Sequence, residues 1–383
     1  MKRIAILCDG TWNSPTMEIP TNVVKLRDAC LNDKTNQVVI YIPGVGTSKI
    51  TKGLIGLLHK LGGGAFGWGL GKNVRRGYQQ LCQHYEPGDE IYIFGFSRGA
   101  YTARSLGGMI RKCGIVPKER IKSAFTLNRA WWLYKRQGPE LDKGPLWTQR
   151  KALSPHIATS EEDWEARDKK GHIVDIRYIG VWDTVGAMGL PVSLLGPVAK
   201  FFNRRYQFYD MKLSGMVKHA RHALALDEQR ILFEPTGWDN LDHRNAGATG
   251  PDLPYQQLWF VGDHGTVGGS KSTRQLVSFP LAWIAEGATK LGLILADTVK
   301  IPDVDGDPGV PSPDVAPRSG PLYAWRLGPA NAREYHVSVA ERMRLRDDYS
   351  PKSVRIGRLA LLQLSPNDND TDDAGPIIEV GRA

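Results

Sequence analysis

Short apolar runs punctuate the chain. They are Arg3–Cys8 (RIAILC), Gln37–Ile42 (QVVIYI), Glu90–Phe94 (EIYIF), Asp175–Val181 (DIRYIGV) and Gln257–Val261 (QLWFV), each halted within two residues by Gly, Pro or Asp. Near-continuous apolar runs suit strands buried on both faces of a parallel sheet. Helical patterns alternate with them, notably Asn73–Tyr85 and the small-residue-rich Arg98–Cys113. This β/α alternation predicts an α/β fold with a mostly parallel central sheet flanked by helices. Segments 118–172 and 186–256 are too long for plain connections and read as insertions. The first carries Trp131, Trp132, Trp147 and Trp164 and is expected to be helical. Six prolines between 301 and 321 predict an exposed extended loop. Residues 366–383, opening on PNDNDTDDAG, read as an acidic mobile tail.

Composition narrows the class. The chain has 383 residues, 41% hydrophobic and 23% charged, which excludes collagen, a coiled coil and wholesale disorder. No apolar run approaches the ~18 residues of a membrane span. The run Ile4–Cys8 is too short for a secretory core. A cytoplasmic protein is expected, or one exported by a system that needs no signal peptide. Cys8, Cys30, Cys82 and Cys113 show no C-x-x-C spacing and suit buried, unpaired thiols. The net charge of +10 is scattered, with no Lys/Arg block of five, so no nucleic-acid partner is expected.

Candidate chemistry centres on Gly95-Phe96-Ser97-Arg98-Gly99, a G-x-S-x-G between a strand and a helix. A nucleophile elbow needs that context, a sharp turn with small residues letting strand and helix pass closely. The elbow makes Ser97 the nucleophile, Gly95 and Gly99 its support, and the Arg98 N–H an oxyanion donor. A serine needs a base, and the base an orienting acid. Asp183 (GVWDTVGA) and His264 (GDHGTVGG) follow later strand runs in the order Ser, Asp, His. His222, in RHALALDEQR, is the alternative base, on a stretch read as helical or irregular. Asp263 is expected to point away from the site. The loop after the first strand, Asp9-Gly10-Thr11-Trp12-Asn13, offers the Thr11 N–H as second oxyanion donor, with Gly10 permitting close approach. Asp9 either holds that loop or is a site carboxylate.

Other motifs are weaker. Gly62-Gly63-Gly64-Ala65-Phe66-Gly67 matches G-x-G-x-x-G but follows a helical pattern, so it reads as a glycine-rich loop. Two segments carry the spacing or composition of lipid contacts: Ile50, Leu54, Leu57, Leu58 and Leu61 with nearby lysines, and Leu190–Phe202, a candidate lid followed by Arg204 and Arg205. Both serve equally as core-packing segments.

The motifs together resemble the α/β-hydrolase family called domain of unknown function 2235. That family includes catalytic domains of phospholipase effectors of the type VI secretion system. The likeness runs through CDGTWN, AFGWGLGKNVRRGY, PGDEIYIFGFSRGAYTARSL, GVWDTVGA, HALALDEQR, WFVGDHGTVGG and HVSVAERM, from residue 2 to about 353. It implies an α/β-hydrolase fold and a triad of Ser97, Asp183 and His264. Where members often read His-Ser-Asp-Val-Gly-Gly, this chain has Thr266 in place of the acid.

The expectation is a serine hydrolase of carboxylic esters, on a lipid or phospholipid, needing no metal or cofactor. Residues 1–365 would form its catalytic domain. The alternatives are another acyl hydrolase, such as a thioesterase or amidase, or a non-catalytic binding protein on the same fold. The expected partners are the ester substrate, a membrane surface, and secretion or immunity proteins if the chain is an effector.

Overall fold

The computed structural model describes residues 1–10, 13, 17–45, 65–136, 144–186, 212–249, 252–296, 306–320, 323–329, 332–351 and 353. Thr11, Ile50–Leu61, Leu190–Phe202 and the acidic tail lie outside the described residues.

Six strands form the central sheet: β1 (Arg3–Cys8), β2 (Gln37–Ile42), β3 (Glu90–Phe96), β6 (Ile176–Trp182), β7 (Val217–Ala225) and β8 (Tyr255–Phe260). Their order is β2-β1-β3-β6-β7-β8, and every ladder is parallel. A separate two-stranded pair, β4 (Ile157–Ala158) and β5 (His172–Ile173), lies in the first insertion. The principal helices are α1 (Asn22–Ala29), α2 (Ala65–His84), α3 (Arg98–Cys113), α4 (Ala124–Lys135), α5 (Gly144–Leu153), α6 (His264–Gly268), α7 (Arg274–Thr289) and α8 (Val337–Leu345). No helix among the described residues is long and apolar enough to cross a membrane.

Both sheet faces are covered, which is why the strands read as continuous apolar runs. Ile4, Ile6, Ile91 and Ile93 face Tyr78, Leu81, Leu106 and Met109 of α2 and α3. Ala5, Leu7, Tyr92 and Phe94 face Val23, Leu26, Leu281 and Ile284 of α1 and α7. A third cluster joins Leu224 and Trp259 to Val339, Met343 and Tyr349 near the C-terminal end. The winding reverses at β1, which has β2 on one side and β3 on the other. Open parallel sheets gather ligands at the carboxyl ends of strands at such a switch point. Cys8 and Gly95 lie side by side there.

Four sequence expectations need correction. The second insertion does not run from 186 to 256, because β7 is a central strand inside it. Its polar residues Lys218, His219, Arg221 and His222 broke the apolar signal. The glycine-rich run is not a loop throughout, since its described part opens α2 at Ala65. The first insertion is helical but also holds the β4–β5 pair. The proline-rich stretch is only partly exposed: Asp314 is buried and accepts a hydrogen bond from Lys271 Nζ at 2.7 Å.

The first insertion is tied by one buried carboxylate. Asp163 accepts from Arg167 Nε at 2.8 Å, Trp147 Nε1 at 2.7 Å and the Thr159 N–H at 2.8 Å, and pairs with Arg150 Nη2 at 3.2 Å. Burial raises its pKa, but Arg167 and Arg150 outweigh that and hold it below the usual carboxylate range.

Candidate active site

Three strand ends build the site. Ser97 follows β3 with φ 58° and ψ −123°, a strained backbone turn between strand and helix. Its N–H donates to Trp182 O at 3.0 Å, and α3 begins at the next residue. The flanking glycines are forced by space. A Cβ on Gly95 would run into the Gly99 carbonyl, and one on Gly99 would run into the carbonyls of Cys8 and Asp9. Asp183 follows β6 with φ 38° and takes Ala223 O through its own N–H at 2.7 Å. His264 opens α6 after the three residues Val261–Asp263 that follow β8, with Asp263 as N-cap accepting the Thr266 N–H at 3.0 Å.

These elements bring the three side chains into one hydrogen-bonded line. Ser97 Oγ lies 2.8 Å from His264 Nε2, and His264 Nδ1 lies 2.5 Å from Asp183 Oδ2. An imidazole protonated on Nδ1 satisfies both bonds, donating to Asp183 and accepting from Ser97. The ring sits between Phe96 and Phe233, each centroid 4.7 Å away. Ser97 is 5% exposed, His264 6% and Asp183 0%, so the line is almost dry.

Asp183 has a further partner that the sequence did not disclose. Arg326 donates Nη1 to Oδ1 at 2.7 Å and Nη2 to Oδ2 at 2.9 Å. The Ala225 N–H adds a bond to Oδ1 at 3.0 Å. Burial pushes the Asp183 pKa up, but the Arg326 charge and the His264 and Arg326 hydrogen bonds reverse it, leaving the carboxyl well below its usual range. Arg326 is separated from Asp183 by 143 residues, in a segment without hydrophobic periodicity, so no local pattern marks it. Glu228 was also missed. It accepts the His264 N–H at 3.2 Å and pairs with Arg230 Nη2 at 2.6 Å. Burial raises its pKa, and Arg230 overrides this to bring it down to about 2. Its signal was available: two adjacent carboxylates (LDEQR) directly after an apolar strand end.

The remaining candidates fall elsewhere. Asp9 is buried and accepts the Gly10 N–H at 2.7 Å, Thr21 Oγ1 at 3.0 Å and Tyr41 OH at 2.7 Å. Those bonds hold the loop after β1, while burial keeps its pKa raised. His222 lies on β7 rather than on a helical or irregular stretch. Its Nε2 accepts the Thr184 N–H at 3.1 Å and its Nδ1 meets Gln257 Oε1 at 3.0 Å, so both nitrogens are engaged and Nε2 braces the residue after Asp183. Burial pushes its pKa down to about 3. Asp263 turns from Ser97 toward Arg318 Nη2 at 3.2 Å and Lys271 Nζ at 3.5 Å. Thr266 Oγ1 donates to Asp263 at 3.2 Å, inside the same cap. Arg98 supplies the first N–H of α3, beside Ser97. Among the described residues no group of three or more His, Cys, Asp or Glu is arranged to hold a metal ion.

Residues 2–287 match the family described as type VI secretion, phospholipase effector Tle1-like, catalytic domain. The uncharacterised protein YEL023C of Saccharomyces cerevisiae is 30% identical over 247 residues, covering 61% of this chain and 32% of that protein. A crystal structure of an uncharacterised protein from Pseudomonas aeruginosa is similar with TM-score 0.42 and 18% identity, over 77% of this chain and 46% of that one. A structure of the Tle1 effector bound to the VgrG spike of the type 6 secretion system is similar with TM-score 0.36 and 17% identity, over 70% and 51%. The chain thus spans about a third of the curated relative and about half of the two solved chains. With most of its length matched, and an α/β-hydrolase-like parallel sheet beneath the match, the chain belongs to the Tle1-like phospholipase effector catalytic-domain family.

Proposed function

We propose that the protein is a serine hydrolase that cleaves carboxylic esters of lipids, with Ser97, His264 and Asp183 as its catalytic triad. The observation that carries this reading is the continuous line from Ser97 Oγ through both imidazole nitrogens to Asp183, at 2.8 Å and 2.5 Å. Family membership supports lipid as the substrate class and an effector-type setting, with carrier and immunity proteins as the accompanying partners.

In this mechanism Ser97 Oγ attacks the ester carbonyl while His264 Nε2 takes its proton. Asp183 holds the Nδ1–H tautomer and stabilises the imidazolium. The Arg98 N–H on the first turn of α3 faces the developing oxyanion, where the helix N-terminus adds favourable potential. Collapse of the tetrahedral adduct returns the proton from His264 to the leaving alcohol. Water, deprotonated by His264, then attacks the acyl-enzyme and releases the fatty acid and free Ser97. Strain at Ser97, φ 58°, keeps Oγ presented at the strand end rather than folded into the helix.

Labelling by a fluorophosphonate, followed by hydrolysis of phospholipid vesicles, tests the proposal. The wild type should label and release fatty acid. Ser97→Ala should abolish labelling, and His264→Ala should slow it by about a thousandfold or more. Full labelling of His264→Ala would remove His264 as the base.

A further inference from the structure

The triad's acid is held by a residue outside the family-matched segment. Arg326 lies beyond residue 287, yet its guanidinium reaches back and covers both oxygens of Asp183. It is 8% exposed and Asp183 is 0% exposed. The same guanidinium donates to Ala225 O at 2.9 Å, at the end of β7, and to the Phe233 carbonyl. Phe233 in turn sets its ring edge-on to His264 at 66°. One side chain therefore joins the acid, the strand end beneath it and the aromatic wall of the base.

Resting on the triad reading above, we propose that Arg326 is a positioning residue. By clamping both oxygens of Asp183 it keeps the acid charged and turned toward His264 Nδ1, and it thereby sets the pH range over which His264 works as a base.

The geometry accounts for the need. A carboxylate with no exposure to water is unstable as an anion unless paired and hydrogen-bonded. A neutral imidazole gives it one hydrogen bond but no charge. Arg326 gives both, and a planar fork matching two carboxylate oxygens fixes rotation about the Asp183 side chain as well as its charge. The other charged groups near His264 are already engaged. Glu228 meets its backbone N–H and is paired with Arg230, and Asp263 is paired with Arg318 and Lys271. His222, behind Thr184, is neutral at working pH. Among the described residues, Arg326 is the Lys or Arg in direct contact with Asp183.

Removing the charge moves the acid limb of activity upward by either route. If Asp183 stays ionised, its unshared charge stabilises the imidazolium and His264 deprotonates later. If Asp183 takes a proton, its own titration becomes the limb, above the present one.

The experiment is the fluorophosphonate labelling rate against pH for the wild type, Arg326→Gln and Arg326→Lys, with thermal unfolding in parallel. Arg326→Gln should label at least tenfold more slowly at pH 7, with its acid limb raised by about one unit. Arg326→Lys, a point charge without the fork, should recover part of the rate and keep the wild-type limb. A purely structural role would lower the melting temperature and scale the rate equally at all pH, with the limb unmoved, and that result overturns the proposal. Should Arg326→Gln not fold, a folded Arg326→Lys that labels within twofold of the wild type overturns the clamp, and a larger loss supports it. A wild type that takes no probe at any pH sinks the triad reading and this inference together. Wild-type labelling with an unchanged Arg326→Gln profile sinks only the inference.

Discussion

Ser97 at φ 58° and Asp183 at φ 38° are non-glycine residues in a backbone region that L side chains rarely enter. Both stand one step past a strand end, where the sheet's ladder and neighbouring carbonyls over-determine the backbone. The glycines around Ser97 make that possible. Gly99→Ala would press a methyl onto the Cys8 and Asp9 carbonyls, which are backbone and cannot swing aside. A loss of about 3 kcal/mol is expected from such overpacking, read as a fall in the urea midpoint; an unchanged midpoint would remove the close-passage account. Thr266 makes a second test. Its hydroxyl and N–H both serve the Asp263 cap. Thr266→Asp would set two carboxylates together, so stability should fall by about 1–2 kcal/mol without a gain in labelling rate. At this scale the three residues now aligned were legible because each follows an apolar run in a fixed chain order. Arg326 was not, since pairing across so long a separation leaves no trace in local pattern.

Elements were legible where their composition matched their surroundings. β1 and β2 lie within their apolar runs because both faces are covered. β7 was missed because two of its polar side chains, Arg221 and His222, are buried with partners. Arg221 Nη1 donates to Trp283 O and to Glu286 at 2.8 Å, while His222 braces the Asp183 turn. Burial with partners looks, in sequence, like exposure. The insertion between α3 and β6 repeats this lesson at Asp163. Asp163→Asn would leave Arg150 and Arg167 buried without their counter-charge, and a loss of about 3–5 kcal/mol is expected from urea unfolding. Because its folded pKa is lowered, the carboxylate's contribution is present above its unfolded pKa and disappears as pH falls below it. The variant's deficit should therefore shrink in acid, and a deficit constant from pH 7 to pH 3 would deny the ion pair its part.

For the whole molecule, buried titratable groups set the response to pH. Burial pushes His222 and His336 down to about 3, so the folded protein refuses protons that the unfolded chain accepts. Their contribution is complete above about pH 6.5 and is lost as pH falls toward 3. Asp227 opposes them. Burial raises its pKa to about 7, so the folded protein holds a proton that the unfolded chain releases, and acidification from neutral toward pH 4 stabilises it. Taken alone, these three groups set two protons against one, a loss of about 1.4 kcal/mol per pH unit between pH 6 and 4.5. Asp227→Asn removes the opposing proton and should steepen the loss by about 1.4 kcal/mol per pH unit in denaturant titrations; an unchanged slope would show that Asp227 is ionised in the folded protein. The parallel sheet was legible from the β/α rhythm, but these long-range balances arise only when distant strands meet. The four cysteines carry a last consequence. All are buried, and burial raises each thiol, Cys30 and Cys82 to about 12 and Cys8 and Cys113 beyond that. At neutral pH the four buried thiols of the native state therefore offer no thiolate to an alkylating reagent, and each reacts only when its own region opens. With Cys8 ending β1, Cys30 past α1, Cys82 in α2 and Cys113 closing α3, iodoacetamide labelling followed over time becomes a four-point clock of which part of the sheet lets go first.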